Sequence, residues 1–236
     1  MAVASFNEYR TGDELAEALS AIVARQLLAI IEENGFASLA LSGGSTPLRF
    51  LQKLGEKLGD QKDMLYVAPV DERFVPATHE KSNEKMIRQM LGVSDQAESE
   101  FLSLASDGRS AAEVAQAAEQ KLIADEELPF DVLTLGMGTD GHTASFFPGS
   151  PELDAVMSET AYDLVAAVMA PGAEETQRIT MTLPVILSAD LLILHIEGAA
   201  KYEVYQRAMN GKDAGEMPIR SILHHEDADI HVFYAP

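Results

Sequence analysis

The order of short apolar runs and amphipathic segments predicts an α/β fold: three layers, with a mainly parallel sheet covered by helices on both faces. Two observations carry this. Segments of strand length alternate with segments of 3.6-residue periodicity along the chain. At least one strand also runs straight into a glycine-rich loop that opens a helix, as a parallel crossover requires.

Taken in order, the first element is a helix over Asp13–Asn34. Leu15, Leu19, Ile22, Val23, Leu27, Ile30 and Ile31 recur near helical spacing, and Asn34-Gly35 supplies a stop. Phe36–Leu41 reads as a strand that ends in Ser42-Gly43-Gly44-Ser45-Thr46-Pro47, after which Leu48, Leu51, Leu54 and Leu58 resume helical spacing. Further strands are expected at Met64–Val70, Asp131–Leu135, Tyr162–Met169, Leu191–Ile196 and Asp229–Tyr234. Helices are expected at Ser82–Leu91, Ser110–Glu126 and Ala199–Met209. The acids between Asp95 and Glu127 alternate with alanines on a helical pattern and read as a solvated helix face. No Pro/Gly/Ser-rich linker or internal repeat divides the chain, so residues 1–236 are expected to form one domain.

Composition narrows the chemistry. The chain has 236 residues, 17 basic and 38 acidic side chains, a formal charge of −21 and no Cys. Without Cys there are no thiolate metal sites, disulfides or cysteine nucleophiles, which fits a reducing cytoplasm. The acidic surplus repels polyanions, so nucleic acid is not an expected partner. The apolar stretches are too short for a membrane span, and the N-terminus lacks the basic start and unbroken apolar stretch of a signal peptide.

In open α/β sheets ligands bind beyond the carboxyl ends of strands, which singles out three loops. In the first, Gly43 and Gly44 let backbone N–H groups approach an anion. Ser45 or Thr46 is expected at the helix cap and Pro47 at the first helical position, which makes a phosphate site or, equally, an ordinary tight turn. The second, Gly136-Met137-Gly138-Thr139-Asp140-Gly141, matches GxGxxG after a strand. A dinucleotide reading is disfavoured, because Asp140 would face the pyrophosphate and Pro148 leaves little room for a helix. His142 lies two residues beyond Asp140, where an imidazole can take a proton from water and a carboxylate can orient it. The third loop, Asp71-Glu72-Arg73-Phe74-Val75-Pro76, is either a solvated corner or a place where Arg73 faces a polar substrate. Bases are scarce here, so Arg178 and Lys201 are candidates to complete a phosphate cage. The remaining histidines are assigned no role: His195 reads as a core or strand-end residue, and His79, His224, His225 and His231 lack ligand spacing, so no metal is expected.

Together, Leu41–Pro47, Asp71-Glu72-Arg73 with Val75-Pro76 and Ser82-Asn83, Gly136–Ser145 with Phe147-Pro148-Gly149, and Arg178–Thr182 resemble the 6-phosphogluconolactonase family. The resemblance runs from the strand before Ser42 to Pro218-Ile219-Arg220 and is most specific over Gly136–Pro148. It implies a Rossmann-like fold of the glucosamine-6-phosphate deaminase type, and lactone hydrolysis in the oxidative pentose phosphate pathway without metal or cofactor. It also implies roles. Gly43, Gly44, Ser45, Thr46, Arg178 and Lys201 would hold the 6-phosphate of the sugar phosphate lactone, His142 would be the general base, and Arg73 would bind near the reacting end. Asp140 as partner of His142 follows from spacing. Asp71 is a further substrate-binding candidate, with the choice between Asp71 and Glu72 left open. A backbone N–H of the glycine loop or Arg73 would stabilise the oxyanion. The deaminase relatives carry a Glu directly before the proline where this chain has Phe147, which disfavours isomerisation. A sugar-phosphate sensor would not need His142. A monomer or weak homodimer is expected.

Overall fold

The computed structural model describes residues 3–93 and 100–236. Its elements are β1 (Val3–Glu8), α1 (Gly12–Asn34), β2 (Ala37–Leu41), α2 (Leu48–Leu58), β3 (Leu65–Pro69), β4 (Asp71–Arg73), α3 (Asn83–Leu91), β5 (Glu100–Phe101) and α4 (Ala111–Ala124). They continue with β6 (Val132–Leu135), α5 (Leu153–Val156), β7 (Val165–Met169), β8 (Gln177–Met181), α6 (Leu183–Ser188), β9 (Leu192–Glu197), α7 (Ala199–Asn210), α8 (Arg220–Leu223) and β10 (Ile230–Ala235). Seven strands form one sheet in the order β1-β10-β9-β6-β2-β3-β5, and every pair in it is parallel.

The sheet buries both faces. Along β2, Leu39 and Leu41 pack with Leu15, Leu19, Val23 and Leu27 of α1 and with Phe50, Leu51 and Leu54 of α2. Ala40, one residue out of phase, packs on the opposite side with Val114, Ala115 and Ala118 of α4. This is the period of two expected of a strand covered on both sides. The helices start where short polar side chains satisfy their free amides. Thr11 accepts from Glu14, Ser82 from Lys85, and Ser110 forms a reciprocal capping box with Glu113.

Several expectations change. Val3–Glu8 forms an edge strand on β10 that hydropathy could not reveal. Ser5 and Asn7 point inward, bonded to His231 and to the Val232 carbonyl, whereas Phe6 faces out against Tyr205. The Tyr162–Met169 segment becomes a strand only from Val165 and leaves the parallel sheet, pairing antiparallel with β8. Asp71–Arg73, expected as a loop, is a strand pairing with the other side of β8. This small sheet, ordered β4-β8-β7, satisfies the backbone of charged residues through long-range pairing. Of the acidic stretch read as a helix face, residues 95–99 lie outside the described residues. The remainder comprises β5, a loop and α4.

Candidate active site

The crevice lies where chain connections diverge at the carboxyl ends of β2 and β6, the position at which open α/β sheets bind ligands. The loops after β2, β6 and β9 and the β4–β8 ladder enclose a cleft of about 370 Å³. Gly43, Gly44, Ser45 and Thr46 line it, as do Asp71, Arg73, His142, Arg178 and Lys201. Asp140 stands behind His142 and does not line the cleft.

The β2–α2 loop differs from the capping arrangement expected of it. Pro47 is the residue before the helix, and no side chain caps α2. The Thr46 hydroxyl is turned away instead, accepting from Lys201 Nζ at 2.7 Å. Gly44 takes a left-handed φ of 94°, which an L side chain would strain. Among the described residues no protein acceptor takes the amide hydrogens of Gly43, Gly44, Ser45 or Thr46. Free amides at the start of a helix, beside a lysine, present positive charge that suits an anion. Burial pulls the Lys201 ammonium below its ordinary pKa, and Glu197 pulls it back upward.

His142 is held from two sides. Asp140 Oδ1 lies 2.6 Å from Nδ1 and also accepts the His142 backbone N–H at 3.1 Å. An ionised Asp140 keeps the proton on Nδ1 and leaves Nε2 as the basic nitrogen. Partial burial pulls the Asp140 carboxyl up, but the hydrogen bond and charge of His142 outweigh it, so the carboxyl sits below its usual range. The GxGxxG spacing serves this pair. A Cβ on Gly138 would strike the His142 ring and meet Asp140 Oδ1 at 2.7 Å. The loop is pinned further by Thr143 Oγ1 donating to the Gly136 carbonyl at 2.8 Å. The imidazole also stacks on Phe147, with centroids 4.3 Å apart. Sequence reading gave Phe147 no role of its own, although it stands where the deaminase relatives carry a Glu.

The small sheet supplies the opposite wall. Arg73 and Arg178 are direct cross-strand neighbours. Arg73 Nη1 donates to the Lys81 carbonyl at 2.7 Å and Arg178 Nε to the Glu175 carbonyl at 2.9 Å. Burial lowers the Arg178 pKa and Asp71 works against that fall. Two adjacent guanidiniums repel one another unless an anion lies nearby. Asp71 and Glu72 point to different places. Asp71 lines the cleft and accepts from Ser145 Oγ at 2.6 Å. Glu72 turns to the start of α3, where it accepts from the Arg73, Asn83 and Glu84 amides and from Ser82 Oγ. Burial raises its pKa to about 7 against the pull of those four donors.

His195 is buried, with Nε2 3.0 Å from Glu197, and lies on the strand as expected. Among the described residues no three His, Asp or Glu side chains are placed to hold a metal ion, and no helix is long and apolar enough to cross a membrane.

The chain as a whole is similar to known proteins. The 6-phosphogluconolactonase of Rhizobium meliloti (strain 1021) is 40% identical over 233 residues, covering 99% of both chains. A crystal structure of a 6-phosphogluconolactonase from Shewanella baltica OS155 has a TM-score of 0.91 at 34% identity, covering 99% of this chain and 98% of that one. A monomeric glucosamine-6-phosphate deaminase shares the fold, with a TM-score of 0.77 at 18% identity, covering 100% of this chain and 97% of that one. The family model for glucosamine-6-phosphate isomerases/6-phosphogluconolactonase matches residues 10–232, and with that span the chain belongs to this family.

Proposed function

We propose that the chain hydrolyses 6-phospho-D-glucono-1,5-lactone to 6-phospho-D-gluconate, with His142 as general base. The observation that carries this reading is that His142, held by Asp140, lines the same cleft as the bonded Thr46–Lys201 pair. Full-length relatives named 6-phosphogluconolactonase support the same activity.

The chemistry divides between the two ends of the substrate. The amides of Gly43–Thr46, with Lys201 and Arg178, hold the phosphate dianion that a chain of charge −21 would otherwise repel. At the other end, His142 Nε2 takes a proton from water, and the hydroxide oxygen adds to the lactone carbonyl. The carbonyl electron pair moves to oxygen, where Arg73 or a backbone N–H of the glycine loop that carries His142 stabilises it. Collapse breaks the bond from the carbonyl carbon to the ring oxygen, and the imidazolium returns its proton to that oxygen. Asp140 stabilises the imidazolium between the two transfers. Asp71, held by Ser145, offers an acceptor to a substrate hydroxyl. No step calls for a metal or cofactor, and a cytoplasmic monomer or weak homodimer suits this reading.

The test is a dehydrogenase-coupled measurement of lactone disappearance above spontaneous hydrolysis, run beside glucosamine 6-phosphate as competing substrate. Saturable acceleration of the first without turnover of the second supports the assignment. Turnover of the amino sugar alone overturns it.

A further inference from the structure

Asn83 begins α3, yet its side chain serves neither the helix nor solvent. It is 2% exposed. Its Nδ2 donates to the Asp71 backbone carbonyl at 2.7 Å, and among the described residues its enclosed Oδ1 has no hydrogen-bond partner. An enclosed carbonyl oxygen with no donor costs stability and calls for an explanation. The amide lies hard against the loop across the cleft wall. A Cβ built on Gly43 would fall directly on the Asn83 amide, meeting Oδ1, Cγ and Nδ2. Gly43 is not in the left-handed region, so the amide, not backbone conformation, bars a side chain there. Gly44 is the contrast, with a φ of 94° and nothing within 4 Å of where its Cβ would be. Among the described residues the Gly43–Thr46 amides bond to no protein acceptor, so the loop is placed by the Thr46–Lys201 bond and by what presses on it.

We propose that Asn83 is a positioning residue: its amide, wedged between the Asp71 carbonyl and Gly43, sets the anion-binding loop against the wall that carries Asp71 and Arg73. The proposal rests on the phosphosugar reading above. Asn83 also lines the cleft, but the role assigned to it is to place the loop, so its effect falls on binding.

The experiment is a double-mutant cycle at Gly43 and Asn83, with Gly44→Ala as control. It is read as KM and kcat on the lactone, as inorganic phosphate affinity by calorimetry, and as thermal midpoint. Asn83→Ala should raise KM about tenfold with kcat changed less than about twofold. Gly43→Ala should be worse, and the double mutant no worse than Asn83→Ala, because the methyl enters vacated space. Asn83→Ala should not relieve Gly44→Ala. If Gly43→Ala fails to fold while the double mutant folds, the proposal is supported; if neither folds, it is overturned. Fold-changes that simply multiply, or an unchanged KM in Asn83→Ala, also overturn it. Should the wild type show no lactonase activity, the functional reading falls, and the same cycle in phosphate affinity still decides the wedge.

Discussion

The imidazole of His142 and the ring of Phe147 stack at 27° with centroids 4.3 Å apart, and the Arg178 guanidinium carbon lies 5.5 Å from the centre of the same phenyl ring. Phe147 therefore links the proposed base to a cation of the opposite wall. With Asp140 on Nδ1 and Phe147 on its face, the imidazole has one nitrogen left for chemistry. Phe147→Leu should lower kcat about tenfold while KM changes less than about threefold, because loosening the ring misplaces Nε2 without touching the anion seat. Steady-state kinetics on the lactone decide this, and an equal loss in both constants would mean the ring serves substrate binding.

Removing the base should separate chemistry from affinity. His142→Ala is expected to abolish rate enhancement while 6-phosphogluconate still binds within about threefold of wild type. Asp140→Asn should keep the fold and lower kcat by about 10²–10⁴, since the ring loses its tautomer and its counter-charge. Calorimetry with the product and the coupled assay report the two effects independently. Undiminished turnover in His142→Ala would remove this residue from the mechanism.

Cations at the phosphate end should govern KM. Arg178→Ala and Lys201→Ala are each expected to raise it by about 10–100-fold with a smaller change in kcat, as loss of a charge-assisted contact predicts. Lys201 has its pKa depressed by burial, so its charge is lost at lower pH than that of a solvated lysine. Affinity for 6-phosphogluconate should therefore weaken as pH rises, beginning below the ordinary lysine value of 10.5. Lys201→Arg should bind without that alkaline decline. A flat affinity profile in the wild type would detach Lys201 from the anion.

Glu72 gives a pH dependence of stability. Its native pKa is raised from 4.5 to about 7, so the folded state binds a proton that the unfolded state releases. The resulting stability is complete below 4.5 and is lost as pH rises through 7. Glu72→Gln cannot titrate. Relative to that variant, the wild type should lose stability by up to about 1.4 kcal/mol per pH unit across this window. Denaturant melts at several pH values measure the slope, and a slope of opposite sign would show that the four donors dominate over burial.

The sequence by itself determined the alternation of strands and helices and two of the loops that reach the cleft, those of Gly43–Thr46 and Gly136–His142. Both are local: a strand's apolar run, a 3.6-residue period and a glycine between strand and helix are each written in neighbouring residues. Thus His142, Asp140 and the Gly43–Thr46 loop were legible before any fold was known. What only the tertiary structure decided came from distant pairing. Val3–Glu8 becomes a strand because β10 lies beside it, although Ser5 and Asn7 on its inward face are polar. Asp71–Arg73 becomes one because β8 arrives from a hundred residues later, turning Asp71 into the cleft and Glu72 away from it. The Phe147 stack, the Thr46–Lys201 bond and the Asn83 wedge arise likewise from contacts between segments whose sequences do not signal one another. Backbone and side-chain groups must find partners somewhere, and the partner's identity is a property of the assembled sheet.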